Sequence, residues 1–234
     1  MRAAKGKCAW RESGACVVVK VHVVSTEELA KLCVEHPELG ARAAAALVPR
    51  YGRRVLNGSL AWMTRVEALA TGLLLLSVHG VDDNGQLSIG FAGKPCLADD
   101  SASISISHGG GCCVLASAPK AGGELGIDVE PIDTYNAPAA RRVLSSKEIA
   151  WIEASDDERR RAERFARAWT ALEAVLKAEG TGFERDPRAA GVPGGWDISH
   201  VVWRGHSISV ATDGSCSIEL IEHDPTQLFE RAFC

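Results

Sequence analysis

No run of 18 apolar residues occurs in the 234-residue sequence. The longest candidate, Leu73 to Val78, is far too short to span a bilayer. The first residues, MRAAKGKCAWRESG, lack the apolar core of a signal peptide. A cytoplasmic protein without membrane contact is therefore expected. A basic excess is also missing: the formal net charge of −4 does not suit a broad nucleic-acid surface and leaves only local basic pockets. There are eight cysteines, Cys8, Cys16, Cys33, Cys96, Cys112, Cys113, Cys216 and Cys234, but no CxxC pair and no Cys/His cluster with zinc-finger spacing. Free thiols are expected, with Cys112 and Cys113 on a strand and Cys234 exposed to oxidation.

What remains is ordinary globular material, 46% hydrophobic and 24% charged, enough for one large domain or two smaller ones. Cys16 to Val24 is β-branched and reads as a strand. Ser25 then caps a helix whose first turn carries Glu27 and Glu28 and which stops at Pro37. An Ala-rich helix follows over Glu38 to Leu47. From Arg50, Val55, Leu60, Met63, Val66 and Leu69 give a broadly helical pattern with Gly58 as its weak point. Leu73 to Val78 fits a buried strand or a helical turn, and periodicity does not decide between them. Leu87 to Phe91 reads as a short strand.

Ser103 to His108 alternates strictly, which sends Ile104 and Ile106 to a core and Ser103, Ser105 and Ser107 away from it. With Cys112 to Ser117 and Leu125 to Pro131 it predicts three consecutive antiparallel strands. Ser145 and Glu148 form a capping box, and Asp156 to Arg167 reads as an exposed, charged helical face. Phe165 to Gly180 is the clearest helix, its apolar arc formed by Phe165, Ala168, Trp169, Leu172, Val175 and Leu176. Trp196 to Val202, His206 to Thr212 and Ser215 to Glu222 read as a meander, with His200 and His206 as strand-end residues of no metal role. The fold class expected is α+β.

Four short motifs carry chemistry. In LGIDVEP, Leu125 to Pro131, strand alternation points Asp128 and Glu130 one way and Ile127 and Val129 the other. Two carboxylates about 4 Å apart repel by about 4 kcal/mol at an effective dielectric of about 20, a cost that a bound cation such as Mg²⁺ relieves. The plain alternative is a solvated strand face ending in a turn. Gly93-Lys94-Pro95 combines close backbone approach, a point charge and a stiff loop. Ser107 and His108 stand at the rim of Gly109-Gly110-Gly111, whose backbone N–H groups suit an anion. Glu173 and Lys177 lie four apart beside the apolar arc of the clearest helix, as a helical ion pair or as a third carboxylate and a cation at a cleft edge.

Taken together and in this order, GKP at Gly93 to Pro95, SISHGGG at Ser105 to Gly111, GIDVE at Gly126 to Glu130 and WTALEAVLKAEGTGF from Trp169 resemble a 4′-phosphopantetheinyl transferase of the type that activates peptide and polyketide synthases. The likeness extends from about Arg53 to Phe183. It implies transfer of the phosphopantetheine arm of coenzyme A to a serine of an apo acyl or peptidyl carrier protein, with release of adenosine 3′,5′-bisphosphate. It implies Mg²⁺, with Mn²⁺ as a substitute, bound by Asp128, Glu130 and Glu173, with Glu173 also as general base and Lys177 on the pyrophosphate. Lys94, Pro95, Ser107 and His108 would hold coenzyme A, as would Arg54, with Arg53 as its nearest rival. The architecture implied is a monomer of two similar α/β halves in a pseudo-two-fold arrangement, each a small mainly antiparallel sheet with a long helix. Residues 1–120 would supply the coenzyme A contacts and residues 121–234 the carboxylates and catalytic helix. Rival classes are a metal-dependent phosphoanhydride hydrolase and a catalytically silent protein that binds coenzyme A or a carrier. One departure from the family pattern stands out: Leu172 occupies the position before the helix glutamate, where most members have lysine.

Overall fold

A computed structural model of the chain describes residues 16–90, 93–120, 123–180 and 195–233. The expectations placed on the N-terminus, Cys8, Thr181 to Phe183 and Cys234 lie outside the described residues. Strand β1 (Val17–Ser25) leads into helices α1 (Thr26–Glu35), α2 (Pro37–Ala46), α3 (Pro49–Leu56) and α4 (Trp62–His79). The short strands β2 (Leu87–Ile89) and β3 (Pro95–Leu97) precede a hairpin, β4 (Ala102–Gly109) and β5 (Cys112–Pro119). Then come β6 (Leu125–Pro131), α5 (Ala137–Val143), α6 (Ser146–Glu153) and α7 (Glu158–Glu179). The chain closes with β7 (Asp197–Trp203), β8 (His206–Thr212), β9 (Cys216–Glu222) and α8 (Pro225–Ala232). The protein is α+β, as its sequence predicts.

Several local readings hold. The Ser25 side chain accepts from the Glu28 N–H, Ser145 and Glu148 form the capping box, and Gly180 ends α7 in the left-handed conformation at φ 67°. The ambiguous Leu73 to Val78 stretch is helical, the second half of α4, which Gly80 caps at φ 65°. Leu73, Leu74 and Leu75 are all buried, so the helix has no polar face there to reveal its period. The pattern from Arg50 is two helices rather than one. Asn57 Oδ1 accepts from the Ser59 N–H in an Asx turn that separates α3 from α4.

Two larger expectations are corrected. Strand β6 does not extend the β4–β5 hairpin. It pairs antiparallel with β8, which pairs antiparallel with β7, giving the order β6-β8-β7. Nor is β9 the third strand of a meander: it leaves that sheet and pairs in parallel with β1, in the order β4-β5-β1-β9. The reason is burial on two sides. Val19, Val21, Val23, Cys112, Val114 and Ala116 form one face of the four-stranded sheet, and they pack on Leu125, Ile127, Val129, Ile208 and Val210 of the three-stranded sheet. The opposite face, with Val24, Cys113, Leu115 and Ile104, packs under α1, α3, α4 and α8. The layers thus run helices, sheet, sheet, helix α7. Hydrophobic burial of Ile127 and Val129 sends β6 over the face of the first sheet, and its hydrogen bonds go to β8.

Helix α7 can lie directly on β6 because residue 126 is glycine. A Cβ there would come within 1.9 Å of the Ala174 carbonyl oxygen and 2.6 Å of the Ala178 nitrogen. Gly126→Ala forces backbone apart from backbone, so it is expected to cost more than about 3 kcal/mol, read as a lowered urea midpoint.

A second seam joins β1 to the chain beyond β9. His22 Nδ1 lies 2.9 Å from His223 Nε2. Burial, then the neighbouring His223, lowers the His22 pKa to about 4 from its ordinary 6.5. The folded protein therefore favours neutral His22, and its stability contribution is full above pH 6.5 and lost as pH falls towards 4. Urea midpoints measured from pH 7 to pH 4 should fall more steeply for the native chain than for His22→Gln.

Candidate active site

The strand β6 brings Gly126, Asp128 and Glu130 to the face that meets α7, while Ile127 and Val129 enter the core between the sheets, as alternation predicts. Asp128 is buried, at 4% exposure. Its Oδ1 accepts from Ser107 Oγ at 2.8 Å and from Lys177 Nζ at 2.7 Å, and Lys177 also donates to Ser107 Oγ at 2.7 Å. These three residues come from the edge of one sheet, the edge of the other and the last turn of α7. Asp128 Oδ2 is buried and has no hydrogen-bond partner among the described residues.

The serines of β4 correct one expectation. Ser103, Ser105 and Ser107 are buried rather than turned to solvent. Ser105 Oγ accepts from the Ile127 N–H at 3.1 Å, and Ser103 Oγ donates to the Gly123 carbonyl at 3.1 Å. Alternation separates polar from apolar side chains; it does not say that the polar side faces water, and here it faces β6.

The carboxylates are under electrostatic tension. Burial, then Asp128 and Glu173, pushes the Glu130 pKa up to about 7, against the opposing pull of Lys177 and His206. Burial, then Asp128, also raises the pKa of Glu173, with Lys177 opposing. Among the described residues no three His, Cys, Asp or Glu side chains form a ready cation cage. The donor chemistry nevertheless fits a hard cation: oxygen ligands only, mutually repelling, with one buried oxygen lacking a partner.

The remaining residues singled out in the sequence are dispersed. His108 pairs in register with Cys113 and points to the helical side of the sheet, its Nδ1 3.4 Å from Glu67 Oε2 of α4. Lys94 Nζ donates to the Leu125 carbonyl at 2.8 Å, at the start of β6, and Pro95 opens β3. Arg53 and Arg54 are exposed on the last turn of α3, and no ion pair or hydrogen bond joins either to the carboxylates among the described residues. The glycine turn makes room for the end of β6: a Cβ at Gly109 would lie 3.0 Å from the Val129 carbonyl oxygen, and one at Gly110 2.7 Å from the Pro131 ring. Leu172 is buried against Ala140, Leu144, Ile152, Ala168 and Leu176, facing α5 and α6.

Residues 124–231 match the model of the 4′-phosphopantetheinyl transferase superfamily. This part of the chain is similar to that superfamily. A search of curated proteins gives no match. The matched residues include β6, α7 and β8, and so Asp128, Glu130, Glu173 and Lys177. Ser107 enters the site from outside the matched residues. No helix among the described residues is long and apolar enough to cross a membrane.

Two residues of the matched segment gain a place that the sequence does not give them. Thr170 is fully buried, its Oγ1 2.8 Å from Ser209 Oγ and 3.1 Å from Ser207 Oγ, so it fixes α7 on the strand beside β6. A lone hydroxyl within an apolar arc was its only sequence signal. His206 opens β8 with Nε2 2.7 Å from the Gly110 carbonyl oxygen, and its charge favours ionised Glu130. Its place follows from the long-range β6–β8 register, which pairs it with Pro131. His200, expected at a strand end, lies within β7 opposite Ser209.

The Glu130 shift has a sign that can be tested. An unfolded glutamate ionises near 4.5, whereas folded Glu130 holds its proton to about 7. Stability is therefore lost as pH rises through that interval. In chelator-treated protein, Glu130→Gln should be more stable than the native chain at pH 8, by on the order of 1–3 kcal/mol. Urea unfolding should show that difference shrinking as pH is lowered towards 4.5.

Proposed function

We propose that the chain transfers the 4′-phosphopantetheine arm of coenzyme A to a serine of an apo acyl or peptidyl carrier protein, releasing adenosine 3′,5′-bisphosphate. The superfamily match supports phosphopantetheinyl transferase activity in general. The observation that carries the finer reading is the Asp128 carboxylate. It is held on one oxygen by Lys177 and Ser107, is unpartnered on the other, and stands beside two carboxylates whose pKa values are raised.

In this reading Asp128, Glu130 and Glu173 hold Mg²⁺, or Mn²⁺ in its place. When bound, the ion offsets the negative charge that the pyrophosphate presents to an attacking hydroxyl. The protein's own groups do the rest. Lys177, anchored on Asp128, presents its ammonium to the pyrophosphate oxygens. Ser107 adds a donor, and shares the Asp128 oxygen with Lys177. Glu173 takes the proton of the carrier serine; its raised pKa makes it a stronger base than an exposed glutamate near neutral pH. Lys94, Pro95, His108 and Arg54 or Arg53 hold the rest of coenzyme A. The same reading takes the molecule as a cytoplasmic monomer of two similar halves about a pseudo-two-fold axis. Residues 1–120 contribute the nucleotide contacts, residues 121–234 the carboxylates, and coenzyme A lies between them.

Incubation with Mg²⁺, coenzyme A and a panel of apo carriers, followed by intact-mass measurement, tests the reaction. The expected result is a carrier heavier by one phosphopantetheine group. Asp128→Ala and Glu173→Ala should each lower transfer at least about a hundredfold with unchanged circular dichroism. Near-normal transfer in both variants would sink the site assignment. Adenosine bisphosphate released without carrier modification would instead point to a hydrolase.

A further inference from the structure

Three glycines in succession leave the turn between β4 and β5 little stiffness of its own. Gly110 and Gly111 both take left-handed conformations, at φ 57° and 91°. The turn is nevertheless seated closely on the end of β6. A Cβ at Gly109 would lie 3.0 Å from the Val129 carbonyl oxygen and 3.7 Å from Glu130 Oε2, and one at Gly110 would lie 2.7 Å from the Pro131 ring. Two contacts from outside the hairpin hold it there. The Thr26 N–H donates to the Gly111 carbonyl at 2.9 Å, and His206 Nε2 lies 2.7 Å from the Gly110 carbonyl oxygen. Among the described residues, His206 supplies the only side-chain hydrogen bond to this turn. The contact also joins two parts of the chain, since His206 lies within the matched residues and the glycine turn outside them.

His206 is itself firmly mounted. Its ring packs beside Trp203, centroids 5.8 Å apart, and its Nδ1 lies 3.2 Å from the Arg204 carbonyl oxygen. The Arg204-Gly205 turn that precedes it is clasped to other elements. Arg204 Nη1 donates to Glu28 of α1 at 2.7 Å, the same guanidinium pairs with Glu222 of β9, and Trp203 Nε1 donates to Glu222 at 3.0 Å. A carbonyl oxygen only accepts, so Nε2 carries a proton and donates it to Gly110. The peptide that follows is planar and trans, with its C=O and N–H opposed. Fixing the Gly110 carbonyl therefore also fixes the direction of the Gly111 N–H. The strand that enters the turn carries Ser107, whose Oγ meets Asp128 and Lys177, and the strand beneath it carries Glu130. Loss of the His206 bond frees the turn to shift against both.

We infer that His206 is a positioning residue for coenzyme A: through the Gly110 carbonyl it fixes the glycine turn, and with it Ser107, against the carboxylate end of β6. The identity of the ligand rests on the transferase reading. The effect falls on binding rather than on the chemical step, because His206 forms no hydrogen bond to Asp128, Glu173 or Lys177 among the described residues. Coenzyme A is titrated calorimetrically into the full chain, and kcat and KM are taken from intact-mass transfer assays. By length, a glutamine amide nitrogen takes the place of Nε2, whereas that of asparagine reaches only the place of Nδ1. His206→Asn and His206→Phe should raise the coenzyme A Kd and KM at least about fivefold with kcat within about twofold, while His206→Gln stays within about twofold of native in all three. A role in stability alone would instead move the urea midpoint and leave Kd and KM of the folded protein unchanged. Should His206→Phe fail to fold, the comparison of His206→Asn with His206→Gln decides. Native coenzyme A affinity in His206→Asn and His206→Phe overturns the inference, as does a glutamine variant as weak as the other two, or a fall in kcat at native KM. In each of those results the native chain still binds coenzyme A, so the transferase reading stands. No coenzyme A binding by the native chain overturns that reading and the role of His206 together.

Discussion

The contact on which the site depends is backbone against backbone. Helix α7 lies against β6 at Gly126, where the space for a Cβ is filled by the Ala174 carbonyl. Ala174 and Ala178, four apart on α7, continue the same close face, and Thr170 ends it with a buried hydroxyl on β8. Were the helix a side chain's width further out, the Lys177 ammonium would not hold 2.7 Å contacts to both Asp128 and Ser107. A residue with no side chain thus sets the distances among Asp128, Ser107 and Lys177.

That closeness creates the electrostatic tension. Asp128, Glu130 and Glu173 are brought together where burial disfavours their charge, and Lys177 offsets it only in part. The imbalance shows in the direction of both pKa values: Glu130 is pushed up to about 7 and Glu173 moves the same way. In the proposed reaction Lys177 would have a second use, because its ammonium, now on Asp128, could also donate to the pyrophosphate oxygens.

Local chemistry was readable where a single element determines it. The face shared by Asp128 and Glu130 follows from strand alternation, the start of α1 from Ser25, and the end of α7 from Gly180. Pairing between distant strands was not readable. Nothing near Cys216 indicates that β9 will pair with β1 rather than β8, because the Asp213-Gly214 turn serves either course. The serines of β4 failed for a related reason. Their polarity was evident, but the donors and acceptors they meet on β6 are more than twenty residues away. His108 shows the limit of motif adjacency. It follows Ser107 in the chain, yet the strand sends it to the opposite face and to Glu67.

Leu172 bears most directly on how the site gets its positive charge. On α7, Glu173 and Lys177 flank the β6 face, whereas Leu172, with Leu176, packs into the cluster beneath α5 and α6 at 2% exposure. In this packing an ammonium at position 172 would be directed into an apolar pocket, where burial opposes its charge. The leucine is therefore consistent with a helix rotated so that α5 and α6 are held by hydrophobic contact at this point. The cation that touches Asp128 comes instead from Lys177, about one helical turn beyond Glu173. Lys177 stands on Asp128 with leucine at position 172, so the departure there leaves the ion pair intact. Leu172 also ties α5 and α6 to the helix that carries Glu173.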